Sequence, residues 1–352
     1  MIGARIKLAR EVCGMTQADL ATTIGTTQSG VASMEAGLYR PSPDFLRSIA
    51  AQTGFAPGFF EKGEIPEFPS GTLLYRAQTA VKKGPRAQAH ALCVVAFELA
   101  TSMAEKLRKV PVSIPKLGEK PSKCAQITRA SLGLSPNTVI KDLLLCLERS
   151  GVWVVPLPIE VEGFDGFSAW AGWDLGRPII ALLRGKTPYR EIFTTAEELG
   201  HLVMHSPLRV GVAEADKEAR AFAQEFLLPA EAMELEMQPP ITLAGLAILK
   251  RRWNVSMAFL AMRAASLSLI THNQHRYLIQ EIRSKGWDKS EPGDENANRE
   301  RPRIIRKMAE LLYGNPIDLG RLSKESGLSG KMLRDLLSLD SPSAKILQFK
   351  QA

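Results

Sequence analysis

The stretch that decides the fold of this chain is residues 191–205, EIFTTAEELGHLVMH. Its apolar residues recur every three or four positions and it contains no proline, so the spacing predicts one helix. On such a helix Glu197 and His201 are four residues apart and share one face. Glu198 lies beside them and His205 follows one turn later. The residues on this face indicate what kind of site the helix carries.

The spacing of these residues is close to the zinc-binding pattern H-E-x-x-H. In that pattern two histidines on one helix face bind the metal, and the intervening Glu is the general base for a metal-bound water. Here the first histidine is replaced by Glu197, so the stretch reads E-E-L-G-H. His201 keeps the position of the second histidine, and Glu198 keeps that of the general base. The replacement either abolishes hydrolysis or changes the metal.

A third metal ligand is expected on a later helix. Residues 214–229, EADKEARAFAQEFLLP, have an apolar helical face that ends at Pro229. Glu218 lies at the start of that face and could point back at the first helix. Two ligands from one helix and a Glu from the next form a common zinc-peptidase arrangement.

TTAEELGHLVMH followed by KEARAFAQEFLLP resembles the ImmA/IrrE family of metallopeptidases. LAILKRRWNVSMAFLAMRA is similar to the helical region that follows the peptidase core in that family. The resemblance implies a zinc site with His201 and Glu218 as ligands, Glu197 in the place of the first histidine, and Glu198 as general base. Arg220 stands where the family has Asn. It could pair with these carboxylates and occupy the space that a cation needs.

Three interpretations of the site follow. The one that the sequence favours is a pseudopeptidase that binds metal weakly or not at all, and that senses a signal or binds a partner. The second is an active peptidase with a glutamate ligand, whose two carboxylates would reduce the Lewis acidity of the zinc. The third is a metal bound without hydrolysis.

The amino-terminal segment reads as a packet of short helices. Thr16 is expected to cap a second helix that Gly25 closes, and a third helix begins at Thr27. The segment resembles the Xre, or lambda-repressor-like, family. The resemblance rests on four patterns that follow one another in this order: R-x-x-x-G-M-T-Q-x-x-L-A, I-G, Q-S-x-V-x-x-M-E-x-G and R-P-S. That resemblance implies a helix-turn-helix whose third helix enters the DNA major groove.

The same resemblance implies which residues meet DNA. Gln28, Ser29 and Ser33 would face base edges or phosphates, and Gln17 would contact the backbone. The complete predicted set is Gln17, Thr27, Gln28, Ser29, Ser33 and Arg40. The alternative is a helical packing or dimerisation module on the same scaffold. Because this segment is nearly neutral, dimerisation or a second basic region is expected to support binding.

Composition sets broad limits on the chain. Its 352 residues are too many for one core, and the 45% hydrophobic and 23% charged content is typical of a globular protein. The four cysteines have no C-x-x-C spacing, which indicates reduced thiols. The net charge of +8 permits nucleic-acid binding. No leader or membrane span is expected, so the predicted location is the cytoplasm.

The predicted fold class is α+β, mainly α. Three apolar runs, VWVVPLPI, DGFSAWAGW and RPIIALLRG, predict a small antiparallel sheet in a zincin-like domain. Residues 122–134 and 135–150 are expected to form two helices before it. The predicted organisation comprises a helix-turn-helix domain at 1–62, a linker and basic helical connector at 63–114, the peptidase-like domain at 115–240, a helical region at 241–290, and a charged linker with carboxyl-terminal helices at 291–352.

These observations predict a DNA-binding transcriptional regulator, with an antitoxin-type autorepressor as its specific form. The expected partners are double-stranded DNA and a protein, either a toxin or a repressor, and the expected assembly is a homodimer. Residues 318–338, DLGRLSKESGLSGKMLRDLLS, have a second helix-turn-helix pattern, for which a dimer or partner-binding tail is the alternative. The competing function is a metal-dependent endopeptidase that cleaves a repressor or partner.

Overall fold

The structure of the chain is a computed structural model. It describes residues 2–69, 82–108, 110–172, 176–205, 212–297 and 299–339. Residues 70–81, which belong to the predicted linker and basic helical connector at 63–114, lie outside the described residues. The fold class, α+β and mainly α, is confirmed.

The amino-terminal segment folds as the predicted packet of short helices. Thr16 caps the second helix through a capping box with Asp19, and Gly25 ends it in the left-handed conformation at φ 71°. Thr27 caps the third helix by accepting from the amide of Gly30. The helices are α1 (Ile2–Val12), α2 (Gln17–Ile24), α3 (Gln28–Glu35) and α4 (Pro43–Thr53), followed by the 3-10 helix Pro57–Glu61.

Three helices connect this packet to the sheet: α5 (Lys83–Ala104), α6 (Pro121–Ser131) and α7 (Leu143–Arg149). The helix predicted over 135–150 is wrong in its first half. The helix begins only at Leu143, because Asp142 caps it by accepting from the amide of Leu145. By length and composition α5 could cross a membrane, but most of its apolar residues are buried inside the protein, as in the core helix of a folded domain.

The sheet is mixed, so the predicted antiparallel arrangement is wrong. Its strands are β1 (Trp153–Leu157), β2 (Gly166–Ala171) and β3 (Arg177–Leu183), in the order β1-β3-β2. β3 pairs parallel with β1 and antiparallel with β2. The physical reason is that β3 is apolar and buried on both faces after its first residue, which suits a central strand. β1 lies at an edge, where Pro156 is tolerated.

The two faces of the sheet belong to two different hydrophobic cores. In β3, Ile179, Ala181 and Leu183 pack with α1 to α5 and the carboxyl-terminal helices, and the alternate residues Ile180 and Leu182 pack with α6 to α13. This alternation is the two-residue period of a strand. The sheet therefore separates the helix-turn-helix side of the molecule from the peptidase-like side.

The peptidase-like side continues with helices that surround the predicted site. The stretch at residues 191–205 lies in one helix, as expected. The helices are α8 (Pro188–Met204), α9 (Val212–Leu227), α10 (Ala230–Glu236), α11 (Leu243–Trp253), α12 (Met257–Ser266) and α13 (His272–Ser284). The charged segment after α13 is held in place, because Glu291 accepts from the buried Lys250 at 2.8 Å and caps α12 through the amide of Met257.

The carboxyl-terminal helices pack back on the amino-terminal domain. They are α14 (Ile304–Tyr313), α15 (Leu319–Ser326) and α16 (Gly330–Leu336). The amide of Ala56 donates to the carbonyl of Gly327 at 2.9 Å, and Lys62 Nζ donates to the carbonyl of Ser326 at 2.6 Å. Phe55 also forms a β-bridge with Leu328. The helix-turn-helix domain thus shares its core with helices from the other end of the described chain.

A short segment, residues 299–304, ties these carboxyl-terminal helices to the peptidase-like side, and we call it the strap. Glu148 on α7 accepts from the amides of Arg303 at 2.7 Å and Ile304 at 2.9 Å. Glu300 accepts from the amide of Leu144 at 2.8 Å, and Glu191 on α8 pairs with Arg299 at 2.8 Å. Burial raises the pKa of each of these three glutamates to about 7.

Candidate nucleic-acid interface and peptidase-like site

A hydrogen-bonded chain orients the start of the predicted recognition helix. Arg10, which is buried, binds both carboxylate oxygens of Glu35 at 2.5 and 3.0 Å. Gln17 Nε2 donates to Glu35 at 2.8 Å, and Gln28 Nε2 donates to Gln17 Oε1 at 2.7 Å. The side chain of Gln28 is therefore held at the surface by partners on α1, α2 and α3. A side chain fixed in this way loses less conformational freedom when it binds.

The structure brings most of the predicted DNA-binding residues onto one exposed surface. Thr27, Gln28 and Ser29 are exposed at the start of α3, and the hydroxyls of Thr27 and Ser29 are 3.0 Å apart. Ser33 follows on the same helix and is half-buried. Arg40 is exposed in the loop between α3 and α4. Their roles at DNA stay predictions.

The peptidase-like site is built where α8 and α9 approach closely. Gly200 permits this approach, because a Cβ at that position would lie 3.0 Å from the ring of Phe222 on α9. On α8, the residues Glu197, Glu198 and His201 are all buried in the protein interior, each at most 6% exposed over the whole residue. The functional face of the helix is thus buried rather than open to water.

Four side chains form a polar chain between α8 and α9. His201 Nδ1 and His205 Nδ1 are 2.9 Å apart, and His205 Nε2 lies 3.1 Å from Glu218. His201 Nε2 lies 3.5 Å from Asp216. Because one Nδ1 must donate and the other accept, the two rings cannot both be imidazolium. Burial, and after it the neighbouring His201, lowers the pKa of His205.

The replaced ligand position carries an ion pair. Arg220 Nε donates to Glu197 Oε1 at 3.1 Å, and the guanidinium side chain is 62% exposed whereas the Glu197 side chain is 8% exposed. A guanidinium against a buried carboxylate supplies the positive charge that this carboxylate needs. Arg220 thus pairs with the residue that stands in the place of the first histidine.

The predicted general base lies against the sheet. Glu198 is fully buried and accepts from Ser168 Oγ on β2 at 2.8 Å. A general base must reach the proton that it removes, directly or through one water. The hydrogen bond to Ser168 holds the carboxylate toward the sheet, and the role of Glu198 as general base stays a prediction.

These contacts do not fit a catalytic zinc. The predicted donors are directed to different partners: Glu197 to Arg220, His201 to His205 and Asp216, and Glu218 to His205. Among the described residues, no three His, Cys, Asp or Glu side chains are grouped as metal ligands would be. The guanidinium of Arg220 would also repel a cation beside Glu197. The zinc and its three donors stay predictions for metal analysis to test.

Two residues of this site were missed by sequence reasoning. Asp216 precedes Glu218 by two positions and could have been considered as a partner of His201, because both acids lie in the first turns of the same predicted helix. Ser168 is one of many polar residues in the strand region, and nothing in its local sequence singles it out. His205, which the sequence left without a clear role, links His201 to Glu218.

The comparisons with known proteins agree with the two-part organisation. Residues 6–60 match the family model described as Helix-turn-helix, and residues 147–265 match the one described as IrrE N-terminal-like domain. No curated protein matches the chain.

One similar solved structure is the crystal structure of Bacillus thuringiensis PlcR in complex with the peptide PapR7 and DNA. It is 13% identical, and the match covers 96% of this chain and 95% of that chain with a TM-score of 0.17. At this TM-score the likeness supports no conclusion about fold or function. The two family matches show that the chain combines an Xre-like helix-turn-helix domain at residues 6–60 with an ImmA/IrrE-type peptidase domain at residues 147–265.

Proposed function

We propose that this protein is a DNA-binding transcriptional regulator whose peptidase-like domain binds a partner or signal and does not hydrolyse peptides. The observation that carries the proposal is the chain from Arg10 through Glu35 and Gln17 to Gln28. This chain holds the side-chain amide of Gln28 at the surface, at the start of the predicted recognition helix. A Gln side chain in that position can bind adenine through two hydrogen bonds. The protein is expected to act in the cytoplasm.

The peptidase-like site supports the second half of the proposal. The carboxylate in the first ligand position is paired with Arg220, and the residue in the general-base position is buried against Ser168. Both arrangements suit a folded scaffold that presents its surface to a partner. An antitoxin that represses its own operon is the specific form we propose, with a toxin or repressor as the protein partner.

DNA binding tests the first half. Fluorescence anisotropy of the full-length protein with its own promoter fragment at low salt should show saturable binding. Gln28→Ala should weaken that binding by about 5- to 150-fold, the range for removing one bidentate pair of hydrogen bonds to a base. Gln52→Ala, an exposed glutamine on α4, is the matched control and should leave affinity unchanged. If wild type does not bind the fragment, the proposal is wrong.

Peptidase activity tests the second half. Incubation with the protein product of each neighbouring gene should yield a complex with one of them and no cleavage product. The competing function, an active endopeptidase, predicts cleavage that Glu198→Gln abolishes. Cleavage that depends on Glu198 would replace our proposal for this domain and leave the DNA-binding half standing.

A further inference from the structure

The helix α5 runs antiparallel to α1, which places its first turn beside the DNA-binding domain. Near the start of α5, Gln88 donates to the carbonyl of Val12 at 3.1 Å, close to the end of α1. Further along α5, Glu98 accepts from Arg5 at 2.9 Å, near the start of α1. The beginning of α5 therefore lies at the carboxyl end of α1.

That end of α1 leads directly into the helix that is predicted to contact the DNA backbone. A Cβ on Gly14 would lie 3.1 Å from the amide of Gln88, so the turn between α1 and α2 packs against α5. Thr16 and Gln17 follow within three residues and start α2. In helix-turn-helix proteins the element before the recognition helix crosses the DNA backbone. The first turn of α5 is thus next to a predicted phosphate contact.

This edge of the molecule is basic. Lys82 and Lys83 are exposed and Arg86 is half-buried at the beginning of α5, and the first turn of that helix has no acidic residue. Lys7, also exposed, projects from α1. Burial raises the pKa of Glu11, and the electrostatic effects of Lys7 and Lys83 oppose this rise, which places both amines near Glu11.

The position of these cations is unfavourable for the helix itself. Positive charges at the start of a helix oppose its dipole, where an acidic residue would stabilise it. Among the residues that the structure describes, none caps this end of α5 with its side chain either. Of these cations, Lys7 and Lys83 offset the burial of Glu11, whereas three cations, Lys82, Lys83 and Arg86, gather at a helix start whose dipole they oppose. Binding to an anion would supply the negative charge that the helix start lacks.

We propose that Lys7, Lys82, Lys83 and Arg86, here called the α1–α5 basic edge, bind DNA phosphates beside the contact made at the start of α2. The inference rests on the proposed DNA-binding function. It also accounts for how a nearly neutral helix-turn-helix segment binds a polyanion, since Lys82, Lys83 and Arg86 add positive charge from outside residues 6–60. The contact carries no sequence information, because phosphates are the same at every base pair.

The test compares two full-length variants, each of which loses three positive charges but at a different place on the protein. In the first, Lys82, Lys83 and Arg86 are all changed to Gln. In the control, the exposed residues Arg283, Lys285 and Lys289, at and after the end of α13, are all changed to Gln. Circular dichroism confirms that both are folded. Anisotropy is then measured from 50 to 300 mM salt, with the promoter fragment and with a scrambled duplex of equal length.

We expect the first variant to bind both duplexes more weakly and by the same factor. The slope of log affinity against log salt should become shallower by about 0.9 for each phosphate that the variant no longer neutralises, so by roughly 2 to 3 in total. The control should keep the wild-type slope. A charge-preserving variant, Lys82→Arg with Lys83→Arg and Arg86→Lys, should also keep it.

Two outcomes overturn the inference. An unchanged salt slope in the first variant, or an equal change of slope in the control, would show that the basic edge makes no particular contact with DNA. If the wild-type protein still binds the promoter fragment, the proposed function stands. If wild type binds neither duplex, the proposed function itself fails, and the inference fails with it.

Discussion

Arg220 Nε donates a hydrogen bond to Glu197 Oε1 across 3.1 Å, from the surface of α9 into the buried face of α8. Each residue departs from the pattern of a zinc peptidase, and in the structure they are partners. The guanidinium of Arg220 supplies, beside the Glu197 carboxylate, the positive charge that a bound cation would supply. The two departures are therefore best considered as one change.

This pairing predicts strong coupling between the two residues. Arg220→Ala should destabilise the protein by about 1–3 kcal/mol, because it removes a partner of the buried Glu197 carboxylate. Combining it with Glu197→Gln should cost less than the sum of the two single changes, since the charge is then absent. Urea unfolding of the wild type, both single variants and the double variant measures the coupling. Additive effects would contradict it.

The same pairing predicts the metal content. Wild-type protein purified without chelator should contain zinc well below one ion per chain. Glu197→His combined with Arg220→Asn restores a histidine and removes the competing cation, so this variant should bind zinc more tightly than Glu197→His alone. Mass spectrometry of the metal measures both. Near-stoichiometric zinc in wild type that disappears in His201→Ala would show that the native residues form a metal site.

The contact between the two ends of the described chain predicts a specific sensitivity to substitution. Gly327 has φ +73°, and a Cβ there would lie 2.9 Å from Cβ of Phe59. Gly327→Ala should therefore lower the free energy of unfolding by about 1–3 kcal/mol more than Gly133→Ala, which has φ +69° and open space. It should also speed tryptic cleavage after α14. Equal losses of stability in the two variants would mean that the contact with Phe59 contributes nothing.

The strap predicts how stability depends on pH. The pKa of Glu148 is about 7 in the folded protein, against 4.5 ordinarily, because the carboxylate is buried. The folded state therefore binds more protons than the unfolded state between these values, and stability should fall as pH rises through this window. Glu300 and Glu191 are raised to about 7 as well and act in the same direction.

Glu148→Gln isolates this effect, since the amide oxygen can still accept from the backbone of Arg303 and Ile304. The variant should match wild type near pH 5 and be more stable near pH 8, as measured by thermal unfolding. The exposed Glu162→Gln is the control and should leave the pH profile unchanged. A Glu148→Gln profile parallel to that of wild type would refute the assignment.

Sequence predicted the parts of this fold that depend on neighbours in the chain. The cap at Thr16, the end of the second helix at Gly25, the start of the third helix at the Thr27–Gln28 pair and the single helix around His201 follow from local rules, and all are confirmed. The charge of Arg220 was enough to suggest an ion pair with the carboxylates of α8. These features need only residues on one helix or on two consecutive helices.

The features that sequence did not predict depend on distant residues. The parallel pairing of β1 with β3 depends on which strand is buried on both faces, and the strap joins Glu148 to Ile304 across 156 positions. Local patterns contain no information about such pairs.

The packing of Gly327 and Leu328, which follow α15, against Phe59 and Phe55 has a consequence for synthesis. Lys62 and Ser326 are in contact but are 264 residues apart in the chain. At about 5–20 residues per second, the ribosome finishes the second partner roughly 10–50 s after the first. During that interval the aromatic surface beside the helix-turn-helix is uncovered, although its recognition helix is already complete. The nascent protein thus passes through a period in which chaperones, or a second nascent copy, can reach a surface that the finished molecule closes.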